Sequence, residues 1–199
     1  RLDFVTRWLA DRKPDVVGLQ ELKTTDEQFP HDAIEAAGYR ALTHGQKSWN
    51  GVAILGRLDS VGPKLERLQQ GLPGQEDFGA RLLSARVEDL VFTTVYCPNG
   101  KDLEPADFGR KLAWFAALAE YYQSHHDPKD AHVLCGDFNV WPTGLASRNE
   151  EAKDGHLIHP EAERERIAAL AAAHRERPAV QRRQRRRKRL ILGAVQITL

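Results

Sequence analysis

A chain of 199 residues, 41% hydrophobic and 29% charged, has room for one large domain or two small ones and can bury a core without cross-links. No apolar run reaches the ~18 residues that a membrane-spanning helix needs, and two cysteines, Cys97 and Cys135, are too few for a disulfide framework or a zinc site. The net charge of +1 conceals nine Lys/Arg against one acid at residues 174–189, a segment of +8 beside a remainder of −7. A reducing cytoplasm is the default compartment for such a chain. The chain has no methionine and opens inside a helical pattern, so Arg1 is expected not to be the natural start.

Leu2, Val5, Trp8 and Leu9 fall at helical spacing up to Arg12-Lys13, with Pro14 as the stop. Residues 15–21 (DVVGLQE) read as a buried strand ending in the polar pair Gln20-Glu21. The string PHDAIEAAG puts Pro30 at a helix start and Gly38 at its end. Strands are predicted over 39–43 and 51–56, whereas 57–79, rich in Gly, Pro and charge, reads as an irregular excursion. Strands over 81–87 and 90–97 flank a tight turn at Glu88-Asp89, and Pro98-Asn99-Gly100 signals another turn. An amphipathic helix is predicted over 108–123, with Leu112, Phe115, Ala116, Ala119 and Tyr122 along one side. A short strand over 131–135 runs into Gly136-Asp137-Phe138-Asn139, and a last helix covers 160–173. Strands mixed with helices give an α/β sandwich. After Ala173 the periodicity stops, and the apolar run at 190–199 does not read as a continuation of the domain.

Three predicted strands end in groups able to do chemistry: Gln20-Glu21, Tyr96 with Asn99, and Asp137 with Asn139. Ligand sites of α/β sheets gather at the carboxyl ends of strands. Carboxylates from two strands plus an amide suit a hard divalent cation, since Mg²⁺ takes oxygen ligands and often only one or two protein carboxylates. An extended Asp-x-Asn puts both side chains on one face. Against this, a glutamate leaving a buried strand is commonly a solvated exit residue. Gly-Asp-x-Asn is commonly a plain turn, because Asp and Asn bond their own backbone. Tyr96 reads equally as a half-buried strand tyrosine. Residue types and spacing leave both readings open.

Four longer strings go further. Gly18-Leu19-Gln20-Glu21-Leu22-Lys23 comes first, then His44-Gly45-Gln46-Lys47 ahead of Trp49-Asn50-Gly51-Val52-Ala53. Val95-Tyr96-Cys97-Pro98-Asn99-Gly100 follows, and last Gly136-Asp137-Phe138-Asn139 with Pro142-Thr143. In this order they resemble the exonuclease III family of DNA-repair nucleases, within the deoxyribonuclease I-like endonuclease/exonuclease/phosphatase superfamily. The resemblance implies a four-layer α/β sandwich of two facing mixed sheets flanked by helices, as a partial domain over 1–173. It implies a monomeric, Mg²⁺-dependent (alternatively Mn²⁺-dependent) phosphodiesterase of base-excision repair. Such an enzyme acts on double-stranded DNA, at abasic sites and 3′ ends, with no membrane partner. Carried over by position, Glu21 matches the family's metal-binding glutamate, and Asp137 an aspartate that handles a proton and lies near metal. Asn139 matches the asparagine that binds and polarises the scissile phosphate near the metal, and Tyr96 the tyrosine that hydrogen-bonds it. Lys47 and Asn99 sit in loops placed to touch the DNA backbone.

The departures from the family pattern lie at both ends. A first strand carrying an Asn-x-Asn string, an Arg-Ile-Asp string and a Ser-Asp-His-x-Pro string do not occur among these 199 residues. The last would supply the Asp–His pair that activates water, and His125, His126, His132, His156 and His159 lack its context. The terminal strands of the fold are therefore expected to be missing, activity to be impaired and the isolated chain to be prone to aggregate. The segment 174–199 reads as a nucleic-acid-binding arm, as a solvated disordered tail, or as translation in a shifted frame, the abrupt loss of pattern favouring the last. The alternative function is a catalytically inactive remnant that binds nucleic acid non-specifically through this basic tail.

Overall fold

The computed structural model describes residues 2–99, 105–125, 131–140, 160–175 and 192–196. Its elements in chain order begin with α1 (Leu2–Arg12), β1 (Val16–Gln20), α2 (His31–Ala36), β2 (Tyr39–His44), β3 (Val52–Arg57) and β4 (Leu65–Gln70). They continue with β5 (Leu82–Val87), β6 (Leu90–Tyr96), α3 (Pro105–His125), β7 (Ala131–Asp137), α4 (Pro160–Arg175) and β8 (Leu192–Gln196). The expectations for Gly100, His126, Pro142, Thr143, His156, His159 and most of the basic segment lie outside the described residues. The chain divides into two units: Arg1–Tyr96 with Lys129–Asp137 and Ala179–Leu199, and Cys97–Pro128 with Phe138–Pro178.

The first unit holds both sheets, ordered β2-β3-β1-β8 and β4-β5-β6-β7. Each is mixed: β1 pairs antiparallel with β3 and parallel with β8, while β6 pairs antiparallel with β5 and parallel with β7. Because strand side chains alternate, β1 serves two cores. Val17 and Leu19 pack with Val5 and Leu9 of α1, Ile34 of α2, and Phe29, Tyr39 and Leu55. Val16, on the opposite face, joins Val52 and Ile54 with Leu83, Ala85 and Phe92 of the other sheet. The α/β class with two facing mixed sheets and flanking helices is therefore as the sequence predicts. This unit shows three of the four expected layers: helices α1 and α2, the first sheet and the second.

Local signals explain the element ends. Lys13 takes a left-handed conformation (φ 46) as α1 closes and returns its N–H to the Leu9 carbonyl at 2.9 Å. Pro14 then bars any further turn. Gly38 (φ 87) does the same after α2.

Three expectations need correcting. The excursion over 57–79 contains β4, an edge strand in which only Leu65 is buried and a register shift between Arg67 and Gln69 breaks the alternation. An edge strand with a bulge has no clean period of two to read. In α3 the inward side is Lys111, Trp114, Phe115, Leu118, Tyr121 and Tyr122, and Ala116 is exposed. Alanine fits either face of a helix, so it misplaced the stripe. Finally, the boundary drawn at Ala173 falls inside α4, and Leu192–Gln196 of the apolar run is β8, parallel to β1 from Val16↔Leu192 to Gln20↔Gln196. That strand is short and contains Gly193 and Ala194, so only its pairing partner reveals it.

Candidate active site

The site is built where β1, β6 and β7 end. β1 stops at Gln20 because Glu21 takes a left-handed conformation (φ 57), as does Lys23 (φ 56). Non-glycine residues seldom hold this conformation, and such strain gathers at functional sites. The turn is held from outside: Leu22 N–H donates to the Gly51 carbonyl (3.2 Å) and Lys23 N–H to the Asn50 carbonyl (3.0 Å). Gly51 (φ 88) must be glycine, since a Cβ there would lie 2.8 Å from that of Leu22. The HGQK string braces the same corner, its Gln46 Oε1 accepting from Asn50 Nδ2 (3.1 Å) and Ala80 N–H (2.9 Å). Lys47 is exposed on this loop beside Trp49, which is 70% exposed.

Tyr96 and Asp137 end the parallel strands β6 and β7 and are register partners. The approach is close: Gly136 (φ 138) has no room for a Cβ, which would fall 2.0 Å from the Val95 carbonyl oxygen. Arg81 anchors Tyr96, its Nη1 donating to the Tyr96 carbonyl (3.0 Å), its Nε to the Phe78 carbonyl (2.9 Å), and its guanidinium lying over the ring at 5.0 Å. Burial pushes the Tyr96 phenol up to about 12, helped by the negative charge of Glu21, a hydrogen bond to the Glu21 side chain and the charge of Asp137; Arg81 opposes this. The phenol is thus a neutral O–H donor at any physiological pH, and it donates to the Glu21 carboxylate. Lys23 Nζ lies 3.1 Å from the same carboxylate. Glu21, Tyr96 and Asp137, named from three separate strings, are brought together at the strand ends.

Asn99 and Asn139 belong to the second unit. Asn139 holds a left-handed conformation (φ 49) and donates from Nδ2 to the Cys97 carbonyl at 2.8 Å. The buried Lys111 of α3 donates to the Asn139 carbonyl (2.8 Å) and the Asn99 carbonyl (3.3 Å) and pairs with Glu163 of α4 at 2.5 Å. Sequence reading passed over both Arg81 and Lys111. Arg81 left no signal, whereas Lys111 stands at helical spacing from Trp114, Phe115 and Leu118, a charge on an apolar stripe.

Among the described residues no three of His, Cys, Asp and Glu cluster as a metal cage. The pair Glu21 and Asp137 flanking a phenol is an all-oxygen donor set, which fits a hard cation that takes its remaining ligands from water and phosphate.

Two facing mixed sheets with flanking helices, and carboxylates at the strand ends, define the class of α/β sandwich to which the chain belongs. Residues 1–190 match the Endonuclease/Exonuclease/phosphatase family, and the chain belongs to it. It is similar to the exodeoxyribonuclease III of Haemophilus influenzae, at 34% identity over 139 residues, 67% of this chain and 50% of that protein. Solved structures agree. An AP endonuclease from Archaeoglobus fulgidus superposes with a TM-score of 0.76 at 28% identity, covering 86% of this chain and 65% of its own. The 3′ phosphatase NExo from Neisseria, bound to a product DNA hairpin, gives 0.74 at 33% identity, covering 87% and 66%. The chain thus spans about half the length of the Haemophilus protein it matches.

Proposed function

We propose that this chain carries the phosphodiesterase centre of an exonuclease III-type enzyme of DNA base-excision repair. It would cut double-stranded DNA at abasic sites and remove nucleotides from 3′ ends, as a monomer, with Mg²⁺ as its cofactor. The observation that carries this reading is the Tyr96 phenol held between the Glu21 and Asp137 carboxylates at the ends of three strands. The likeness to exodeoxyribonuclease III and to a DNA-bound 3′ phosphatase supports DNA as the substrate. We place the protein in a reducing cytoplasm, in keeping with the reduced state of Cys97 and Cys135.

Glu21 and Asp137 would hold the ion, which when bound would supply charge neutralisation at the phosphate and Lewis acidity. The chain's own groups do the rest. Tyr96, protonated up to strongly alkaline pH, would turn its one O–H from the Glu21 carboxylate to a phosphoryl oxygen when substrate binds. The Asn139 amide stabilises charge on the phosphate, and Asp137 receives or delivers a proton at its carboxylate. Donors of this kind are each worth on the order of 3 kcal/mol in the transition state. Lys47 and Asn99 contact the backbone of the duplex.

The test is cleavage of a duplex containing one abasic-site analogue, with Mg²⁺ or with EDTA. Cleavage should need the ion, vanish in Asp137→Ala and fall roughly 100-fold in Tyr96→Phe. Cleavage indifferent to EDTA or to Asp137→Ala overturns the reading, as does the absence of any cleavage.

A further inference from the structure

The Lys111 side chain is 1% exposed, and its ammonium has three donors. Three acceptors meet it: the Glu163 carboxylate at 2.5 Å, the Asn139 carbonyl at 2.8 Å and the Asn99 carbonyl at 3.3 Å. A buried ion pair is rarely a net source of stability, because apolar side chains of similar volume do as well or better. An apolar pair, however, could not hold the two carbonyls. Asn99 lies three residues beyond the end of β6 and Asn139 two beyond the end of β7. One ammonium therefore ties the two segments that follow those strands.

The tie acts on Asn139 in particular. Its φ of 49 is a conformation that Asn tolerates but does not prefer, and its Nδ2 is committed to the Cys97 carbonyl. With the main chain held by Lys111 and the amide held by Cys97, the plane of the side chain is set. We propose that Lys111, oriented by Glu163, is a positioning residue for Asn139. It touches no substrate and acts by aiming the Asn139 amide at the phosphodiester, so the proposal rests on the phosphodiesterase reading above. Donors to a developing negative charge work only when their geometry is fixed in advance.

Lys111→Met combined with Glu163→Leu removes both charges without leaving either one buried alone, and this variant should still melt cooperatively. The first readout is the ¹⁵N side-chain NH₂ signal of Asn139, assigned by its loss in Asn139→Ala. It should shift and broaden in the double variant while amide signals of β1 to β6 stay in place. The second is cleavage of the abasic-site duplex. Here kcat should fall about 30-fold or more with KM within about twofold, and adding Asn139→Ala should cost nothing beyond Asn139→Ala alone. Glu163→Gln, read in the same two ways, serves if the double variant does not fold. An unchanged Asn139 signal overturns the proposal, and so do kcat losses that multiply. If the parent protein does not cleave DNA, the phosphodiesterase reading falls by itself. The Asn139 signal then still decides whether Lys111 places that side chain.

Discussion

The Gln20 side-chain amide donates to the Thr94 hydroxyl at 2.7 Å, across the space between the two sheets. Both residues are buried, Gln20 at 1% exposure and Thr94 at 0%. Glu21 follows Gln20 directly and Tyr96 stands two residues beyond Thr94, so the bond fixes the distance between the strand ends that carry them. Thr94 also hydrogen-bonds the Cys135 thiol of β7, the strand that ends in Asp137. A single hydroxyl thereby links all three strands of the site. The sheets can come this close only because residue 18 is glycine: a Cβ there would sit 2.7 Å from Thr94 Oγ1 and 3.3 Å from Cys135 Sγ.

Thr94→Val keeps the shape of the side chain and removes the acceptor. It leaves the Gln20 amide buried without its partner, which should cost about 1–3 kcal/mol. Adding Gln20→Leu should return part of that loss, because neither polar group then remains to be satisfied. A double-mutant cycle from urea unfolding measures the coupling. Additive losses would show that the bond does not join the sheets energetically.

Gly136 faces main chain, whereas Gly18 faces side chains. In Gly136→Ala the new methyl meets the Val95 carbonyl in a backbone conformation that L residues rarely adopt, and the cost should be on the order of 3 kcal/mol. Gly18→Ala meets the side chains of Thr94, whose Cβ at 3.0 Å cannot rotate away, and Cys135; these contacts are less severe than one with main chain and should cost less, about 2 kcal/mol. Chemical denaturation of both variants tests the order, and a larger loss in Gly18→Ala would contradict it. Only Gly136→Ala should also displace Asp137, its neighbour in the chain.

Tyr39 predicts an alkaline loss of stability. Its hydroxyl donates to the Pro14 carbonyl at 2.8 Å. Burial pushes its phenol up to about 12, with Arg57 opposing and Asp15 and Asp59 adding to the rise. A group whose folded pKa is raised contributes fully below its unfolded value and loses that contribution as pH climbs through the folded one. Stability should therefore fall between about pH 10 and pH 12. Tyr96, also raised to about 12, covers the same window, and Cys135, raised from 9.0 to about 12, adds a decline that begins below it. Tyr39→Phe should lose about 1 kcal/mol at neutral pH and show a shallower decline above pH 10. Urea midpoints from pH 8 to about 11.5 measure both, and an unchanged slope would refute the assignment.

Periodicity along the chain was enough to find β1, β3, β5 and β6 as apolar runs, and α1 from Val5 and Leu9 at helical spacing. It also put Glu21, Tyr96 and Asp137 at or just past the ends of their strands. Alternation and helical repeat are local properties, so they survive without knowledge of neighbours. The bulged edge strand β4, the strand β8 and the hold of Arg81 on Tyr96 left no such trace, because each depends on what lies beside it. That Tyr96 stands opposite Asp137 is decided by the parallel register of β6 and β7. That its phenol reaches Glu21 is decided by the approach of two sheets at Gly18 and Thr94. The amino-acid sequence alone determined which side chains end the strands and what chemistry they carry. Only the tertiary structure decided which ends meet, since strand pairing and sheet packing join residues far apart in the chain through contacts that no local period encodes.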